Sequence, residues 1–377
     1  MAQQCVWVGG YTPDSEPAGT AQGIYRVWLD DSSGRLTPGG VAASTCGPSF
    51  LAVHPSRTRL YAVNEHTRGG VAAFAITASA ELSPLGRVAT GGAAPCHIHV
   101  LPGGRELAVS HYGDGTVAVV PLTPHHDVAP PAAPVDHGAH VGLGPDPERQ
   151  DGPHAHCARL APDGRHLLVT DLGTDELRCY VPDPVLRTLE YTGSVRLPPG
   201  TGPRHLAAGR DGRMYVVGEL DAQLHVLRWR SARHRDVGAT VTRAEGAEAG
   251  ILAPARTSLH GVVHEDTLPA VRGDQPRSYP GEVAVSPCGR HLYVSNRGAD
   301  CVSTFALDGP TPRHLADVAT GGAWPRHFAL VGPHGQYLVV ANQFSDQLTV
   351  LRRDPDTGIP VDTGHRLDVP SPAVVLP

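Results

Sequence analysis

The sequence predicts an all-β fold, a seven-bladed β-propeller closed by pairing of the N- and C-terminal strands. Three observations carry that prediction: an internal repeat, a half-unit at each end of the chain, and a composition of turns and short strands. The repeat reads GPSFLAVHPSRTRLYAVNEH from Gly47, APCHIHVLPGGRELAVSHYG from Ala94, HAHCARLAPDGRHLLVTDLG from His154, GPRHLAAGRDGRMYVVGELD from Gly202, YPGEVAVSPCGRHLYVSNRG from Tyr279 and WPRHFALVGPHGQYLVVANQ from Trp324. Each copy is an apolar stretch, a turn, and a second apolar stretch ending in polar residues. A period of roughly 45 to 50 residues built this way is the mark of a propeller blade.

The missing copy is divided between the termini. CVWVGGY, Cys5 to Tyr11, reads as a second strand whose first strand is absent, and SPAVVLP, Ser371 to Pro377, as a first strand with nothing after it. Joined, they make the seventh blade, and closure removes the sheet edges that invite aggregation. Residues 1–377 are then one domain, because blades share an axis. Two segments break the repeat and are expected to be loop insertions: about 123–152, rich in Pro, His and Gly, and about 231–278, with weak strand signals such as GATVTRA.

Composition agrees and excludes other classes. With 44 Gly and 36 Pro against 2 Met and 5 Phe, the chain suits many turns, and no long helical period interrupts it. A net charge of −6 without a basic block argues against a nucleic-acid partner. The N-terminal segment lacks a signal-peptide pattern and no run of about 18 apolar residues occurs, so a soluble, cytoplasmic protein without membrane contact is expected. The seven cysteines are odd in number and form no C-x-x-C pair, which predicts free buried thiols rather than disulfides or a zinc site.

Within each copy the first and second strands form a hairpin, so the start of one lies beside the end of the other, on one face near the axis. The first position holds Ser49, Cys96, His156, Arg204, Gly281 and Arg326 in successive copies. The second holds Asn64-Glu65, His111-Tyr112, Asp171-Leu172, Gly218-Glu219, Asn296-Arg297 and Asn342-Gln343. Asn64, Asp171, Asn296 and Asn342 read first as turn-forming residues. Inward-facing Arg204, Glu219 and Arg297 read as functional, because buried charges need partners, and they suggest a pocket for an anionic ligand. His154 and His156 form an H-x-H pair with no acidic third ligand, so no metal is expected. His125, His126, His137 and His140 read as surface residues of a loop.

In these same residues the chain resembles the seven-bladed propeller lactonases, the family that includes propeller-type 6-phosphogluconolactonases and carboxymuconate cyclases. The resemblance runs from VGGYT at Val8 to the closing strand, most specifically in GPDPERQDGPHAH from Gly144, TGPRHL from Thr201, GEL from Gly218, LYVSNRG from Leu292 and WPRHF from Trp324. It implies catalytic roles for His156, Arg204, Glu219 and Arg297, the residues the repeat register also selects. His154, His205, Arg326, Asn64 and Glu65 are expected to bind substrate. Departures are His111, where the family pattern has asparagine before tyrosine, and the long insertion before Tyr279.

The function implied is hydrolysis of a small anionic lactone, such as 6-phosphogluconolactone, without a cofactor. Glu219, alone or with His156, is expected to activate water, and Arg204 and Arg297 to hold the anionic group and the developing oxyanion. Glu219→Gln is accordingly expected to lose turnover with little loss of stability. The alternatives are an intramolecular lyase that forms a lactone from a carboxymuconate, and a non-catalytic propeller serving as an interaction platform. The sequence leaves the oligomeric state open.

Overall fold

The computed structural model describes residues 3–131, 134–135, 141–230, 262–273 and 277–377, which form seven four-stranded antiparallel sheets. The inner strands of the second to seventh blades are Leu51–Val53, Pro95–Val100, Ala155–Leu160, Pro203–Ala208, Tyr279–Val285 and Pro325–Val331. In the first blade the inner strand is Pro372–Leu376, followed outward by Gln3–Gly10, Ile24–Asp30 and Leu36–Ala43. Trp7 pairs with Leu376 and Val8 with Val375, so the two half-units do combine. Each inner strand touches the next around a closed ring.

Strands alternate their side chains between two faces, and in a propeller both faces meet a neighbouring blade. The middle of a second strand is therefore apolar on both faces, as in Leu60, Tyr61, Ala62 and Val63, all fully buried. The core is a succession of clusters between blades. Val6, Val8 and Val375 of the first blade pack on Val339, Ala341 and Val350 of the seventh, and Val169 of the fourth blade packs on Ala108 and Val119 of the third. Burying a Val or Leu side chain is worth about 1.5–3 kcal/mol. That apolar surface is consumed between blades, which leaves the axis to polar groups.

Both insertions contain strand. Pro134–Val135, within the expected 123–152 loop, is the outer strand of the third blade, and Val262–Pro269, within 231–278, is the outer strand of the fifth. GATVTRA, His137 and His140 lie outside the described residues. His125 is exposed, whereas His126 is half-buried and stacks on His54 at 4.0 Å. All seven cysteines are free, four of them buried; Cys288 is exposed, against the expectation of burial.

Candidate functional site

Two repeated backbone devices build the site. At the turn into the inner strand, Gly47, Ala94, Gly202, Trp324 and Ser371 each adopt a positive φ, between 40° and 62°, immediately before a proline. The carbonyl of each then accepts the N–H of the residue that ends the neighbouring second strand: Glu65 onto Gly47, Tyr112 onto Ala94, Glu219 onto Gly202, Gln343 onto Trp324 and Tyr11 onto Ser371, at 2.9–3.1 Å. These residues are thereby placed at equivalent points on the rim of the axis.

The second device is a bulge. Pairing slips within the first residues of the inner strand in blades three to seven, between Pro95 and His97, Ala155 and Cys157, Pro203 and Leu206, Pro280 and Val283, and Pro325 and His327. Bulges re-aim side chains. Here Cys96, His156, Arg204 and Arg326 reach the axial cavities, and where two residues face one, as in Arg204-His205, both do.

The main pocket has a volume of about 540 Å³, with Glu65, Tyr112, Arg149, His156, Glu219, Arg297 and Arg326 among its lining side chains. Glu219, only 3 % exposed, is its electrostatic centre. Arg149 Nη2 donates to Oε1 at 2.5 Å, Arg297 Nη2 donates to Oε2 at 2.6 Å, and Arg204 Nε lies 3.0 Å from the same oxygen. Burial alone would raise this carboxyl, but the Arg297, Arg204 and Arg149 charges prevail and hold it well below the usual carboxylate range. The guanidiniums are fixed in turn: Arg204 Nη1 donates to Gly281 O at 2.7 Å, Arg297 Nε to Tyr279 O at 2.9 Å, and Arg149 Nη2 also to Tyr112 Oη at 3.2 Å.

The structure thus brings His156, Arg204, Glu219, Arg297, Arg326 and Glu65 around one pocket and the small chamber beneath it. Burial, with the Arg204 charge and His205, holds His156 well below its usual range, so it is neutral. Arg326 lies over the Tyr11 ring at 5.0 Å and makes no side-chain hydrogen bond among the described residues. Glu65 has the opposite surroundings to Glu219: burial pushes it up to about 7 against the Arg326 charge, the Ser49 and Tyr11 hydroxyls and Arg204.

Other expected site residues sit elsewhere. His154 stacks behind Tyr112 with ring centroids 4.5 Å apart, its Nδ1 on Tyr112 O at 2.6 Å and its Nε2 on Asp151 at 3.1 Å, so it supports the wall rather than lining it. Asn64 donates to Thr45 Oγ1 and Cys46 O and secures a loop. Asp171 accepts the N–H groups of His154 and Thr174, as a turn-former does, while Asn296 and Asn342 reach across to Ser303 and Thr349. His205 faces the lower chamber, with Nδ1 2.6 Å from Glu282 Oε2, and His327 Nε2 lies 3.1 Å from the same oxygen. His111 is buried, with its ring nitrogens against Thr90 and Thr116, and does not line the pocket.

Sequence reasoning missed Arg149 and Glu282. Arg149 stands in the GPDPERQDGPHAH stretch but on a loop, and the register considered only strand positions. Buried Gln150 pins that loop, donating to Leu172 O at 2.9 Å and Asp175 Oδ1 at 2.8 Å. Glu282 is the second residue of a bulge, and strict alternation allows only one inward residue there.

Comparison with known proteins agrees with this architecture. The family model described as "Lactonase, 7-bladed beta-propeller" matches residues 5–377. The 6-phosphogluconolactonase of Bacillus subtilis is 29% identical over 381 residues, covering 100% of this chain and 98% of that protein. A 6-phosphogluconolactonase of Formosa agariphila is 28% identical over 94% of this chain and 93% of its own length. Among solved structures, a periplasmic gluconolactonase of Pseudomonas aeruginosa superposes with a TM-score of 0.82 at 29% identity, covering 99% of this chain and 98% of that one.

Proposed function

The chain belongs to the seven-bladed β-propeller lactonase family, and within that family we propose that it hydrolyses a small sugar lactone bearing an anionic substituent, with 6-phosphogluconolactone the first candidate. The observation that carries the anionic part is Arg326, a guanidinium facing the pocket over an aromatic ring with its donors uncommitted among the described residues. Arginine presents a planar fork of donors suited to phosphate or carboxylate. Relatives named for a phosphorylated and for an unphosphorylated lactone make this substituent the distinguishing feature.

In the reaction, water adds to the lactone carbonyl carbon, the ring C–O bond breaks, and the ring oxygen leaves as a hydroxyl beside a new carboxylate. Arg297 and Arg204 stabilise the charge that develops on the carbonyl oxygen, and Glu219 keeps them in place so that little reorganisation accompanies it. A proton passes from the attacking water to the leaving oxygen through a group on the pocket floor, where Glu219, His156 and Glu65 are available.

The test is turnover above the spontaneous rate on 6-phosphogluconolactone, glucono-lactone and a carboxymuconate. Preference for the phosphorylated lactone that is lost in Arg326→Met supports the reading. Equal kcat/KM on both lactones would remove its anionic part, and turnover of the carboxymuconate alone would put the chain among the cyclases.

A further inference from the structure

Beneath the pocket floor a second cavity of about 10 Å³ lies on the propeller axis, and Glu65, Cys96, His156 and Arg326 line both. That volume suits about one water molecule. Around it, among the described residues, Tyr11 Oη, Ser49 Oγ, Glu65 Oε2, His156 Nδ1 and His205 Nε2 are buried and close no well-formed hydrogen bond, although the Tyr11 and Ser49 hydroxyls lie near enough to Glu65 to act on its carboxyl. Buried polar atoms are rarely left so, and one water in the chamber can serve up to four of the five. The set is complementary to water. Tyr11 and Ser49 supply hydroxyl donors and Glu65 an acceptor; His205, whose Nδ1–H is taken by Glu282 at 2.6 Å, turns the lone pair of Nε2 inward.

We propose that Glu65 is the catalytic residue that exchanges the proton of the hydrolytic step, supported from below by one water held among Tyr11, Ser49 and His205. This rests on the lactonase reading. Both oxygens of Glu219 are committed to arginines, and a proton would have to displace them. Glu65 closes no ion pair among the described residues, so a proton on it displaces no arginine. Glu65 takes a proton from the attacking water as the C–O bond forms, and returns it to the ring oxygen as the ring C–O bond breaks; the chamber water is not consumed. The groups facing Glu65 are Tyr11 and Ser49, Cys96 of the third blade, Arg204 of the fifth and Arg326 of the seventh. Burial raises its carboxyl to about 7, which poises it between acid and base near neutral pH.

The experiment compares parent, Glu65→Gln and Glu65→Asp on the lactone the parent processes best. Glu65→Gln is expected to lose roughly 10²-fold in kcat with little change in KM and to abolish the limb of the pH profile near neutrality, and Glu65→Asp to recover part of the rate. Retention of kcat within about threefold in Glu65→Gln, with the limb intact, would overturn the assignment while leaving the lactonase reading standing. Infrared difference titration supplies a readout independent of turnover. A carboxyl band that titrates near neutral pH in the parent and is missing in Glu65→Gln supports the poised carboxylate even if no lactone is turned over, an outcome that sinks only the substrate reading. Absence of that band in the parent overturns the proposal.

Discussion

The two walls of the pocket solve the burial of a carboxylate in opposite ways. On the wall from blades five and six and the loop before blade four, Glu219 is surrounded by three guanidiniums within hydrogen-bonding distance. On the facing wall, Glu65 is equally buried but meets two hydroxyls that close no bond on Oε2 and arginines that act only at longer range. The first arrangement fixes charge and holds donors still. The second leaves charge costly and the carboxyl ready to accept a proton. Proximity to cations, rather than depth of burial, decides which glutamate titrates near neutrality.

The sharpest way to break this contrast is to remove both carboxylates in turn. Glu219→Gln leaves three arginines, two of them buried, without their counter-charge, and should lose about 3–5 kcal/mol in urea unfolding, against the expectation from sequence of little change. Glu65→Gln should do the reverse. A folded-state pKa of about 7, above an ordinary ~4.3, means the folded protein binds the extra proton between those values. Parent stability is then undiminished by this group below about pH 4, falls as pH rises towards 7, and stays low above it. Glu65→Gln should therefore be the more stable protein by about 3 kcal/mol at pH 8, with no advantage at pH 4. An identical response in both variants would erase the distinction between the walls.

Smaller effects sharpen it. Arg326→Met should raise KM for a phosphorylated lactone about tenfold, a loss near 1.4 kcal/mol, and leave KM for the unphosphorylated lactone within about twofold, while loss of its charge beside Glu65 moves the pH profile of both upward. Arg149 is 36 % exposed in its side chain, and solvent screens its pair with Glu219. Arg149→Met should accordingly change stability by less than about 1 kcal/mol and KM by about threefold. A larger effect at Arg149 than at Arg326 would show that the anion sits at the rim and not over the floor.

The legible part of this molecule is what repeats. Hairpin register alone placed Arg204, Glu219 and Arg297 at equivalent points, and they do meet in three dimensions. The half-units at the termini likewise contained the ring closure. Bulges were not legible, because a two-residue period assigns alternate side chains to opposite faces, and an extra residue turns its neighbour inward as well. His205 entered only as a further candidate for binding substrate, and Glu282 not at all. Arg149 escaped because it reaches the pocket from a loop whose course depends on the buried Gln150 side chain. The difference between Glu219 and Glu65 depends on which arginines come within reach, a matter of ångströms that residue type does not encode.

The pairing of Trp7 with Leu376 also sets a clock on the making of the protein. At about 5–20 residues per second, the intervening blades occupy the ribosome for on the order of tens of seconds before that partner exists. Through that interval Gln3–Gly10 has no inner neighbour, and the faces of Val6 and Val8 that join the seventh blade are uncovered. The nascent chain must stay soluble with that strand open, so the interval is when a chaperone would engage it. Pulse proteolysis of ribosome-bound chains stalled before Pro372 should find cleavage near Gly10, and the released full chain should be protected there.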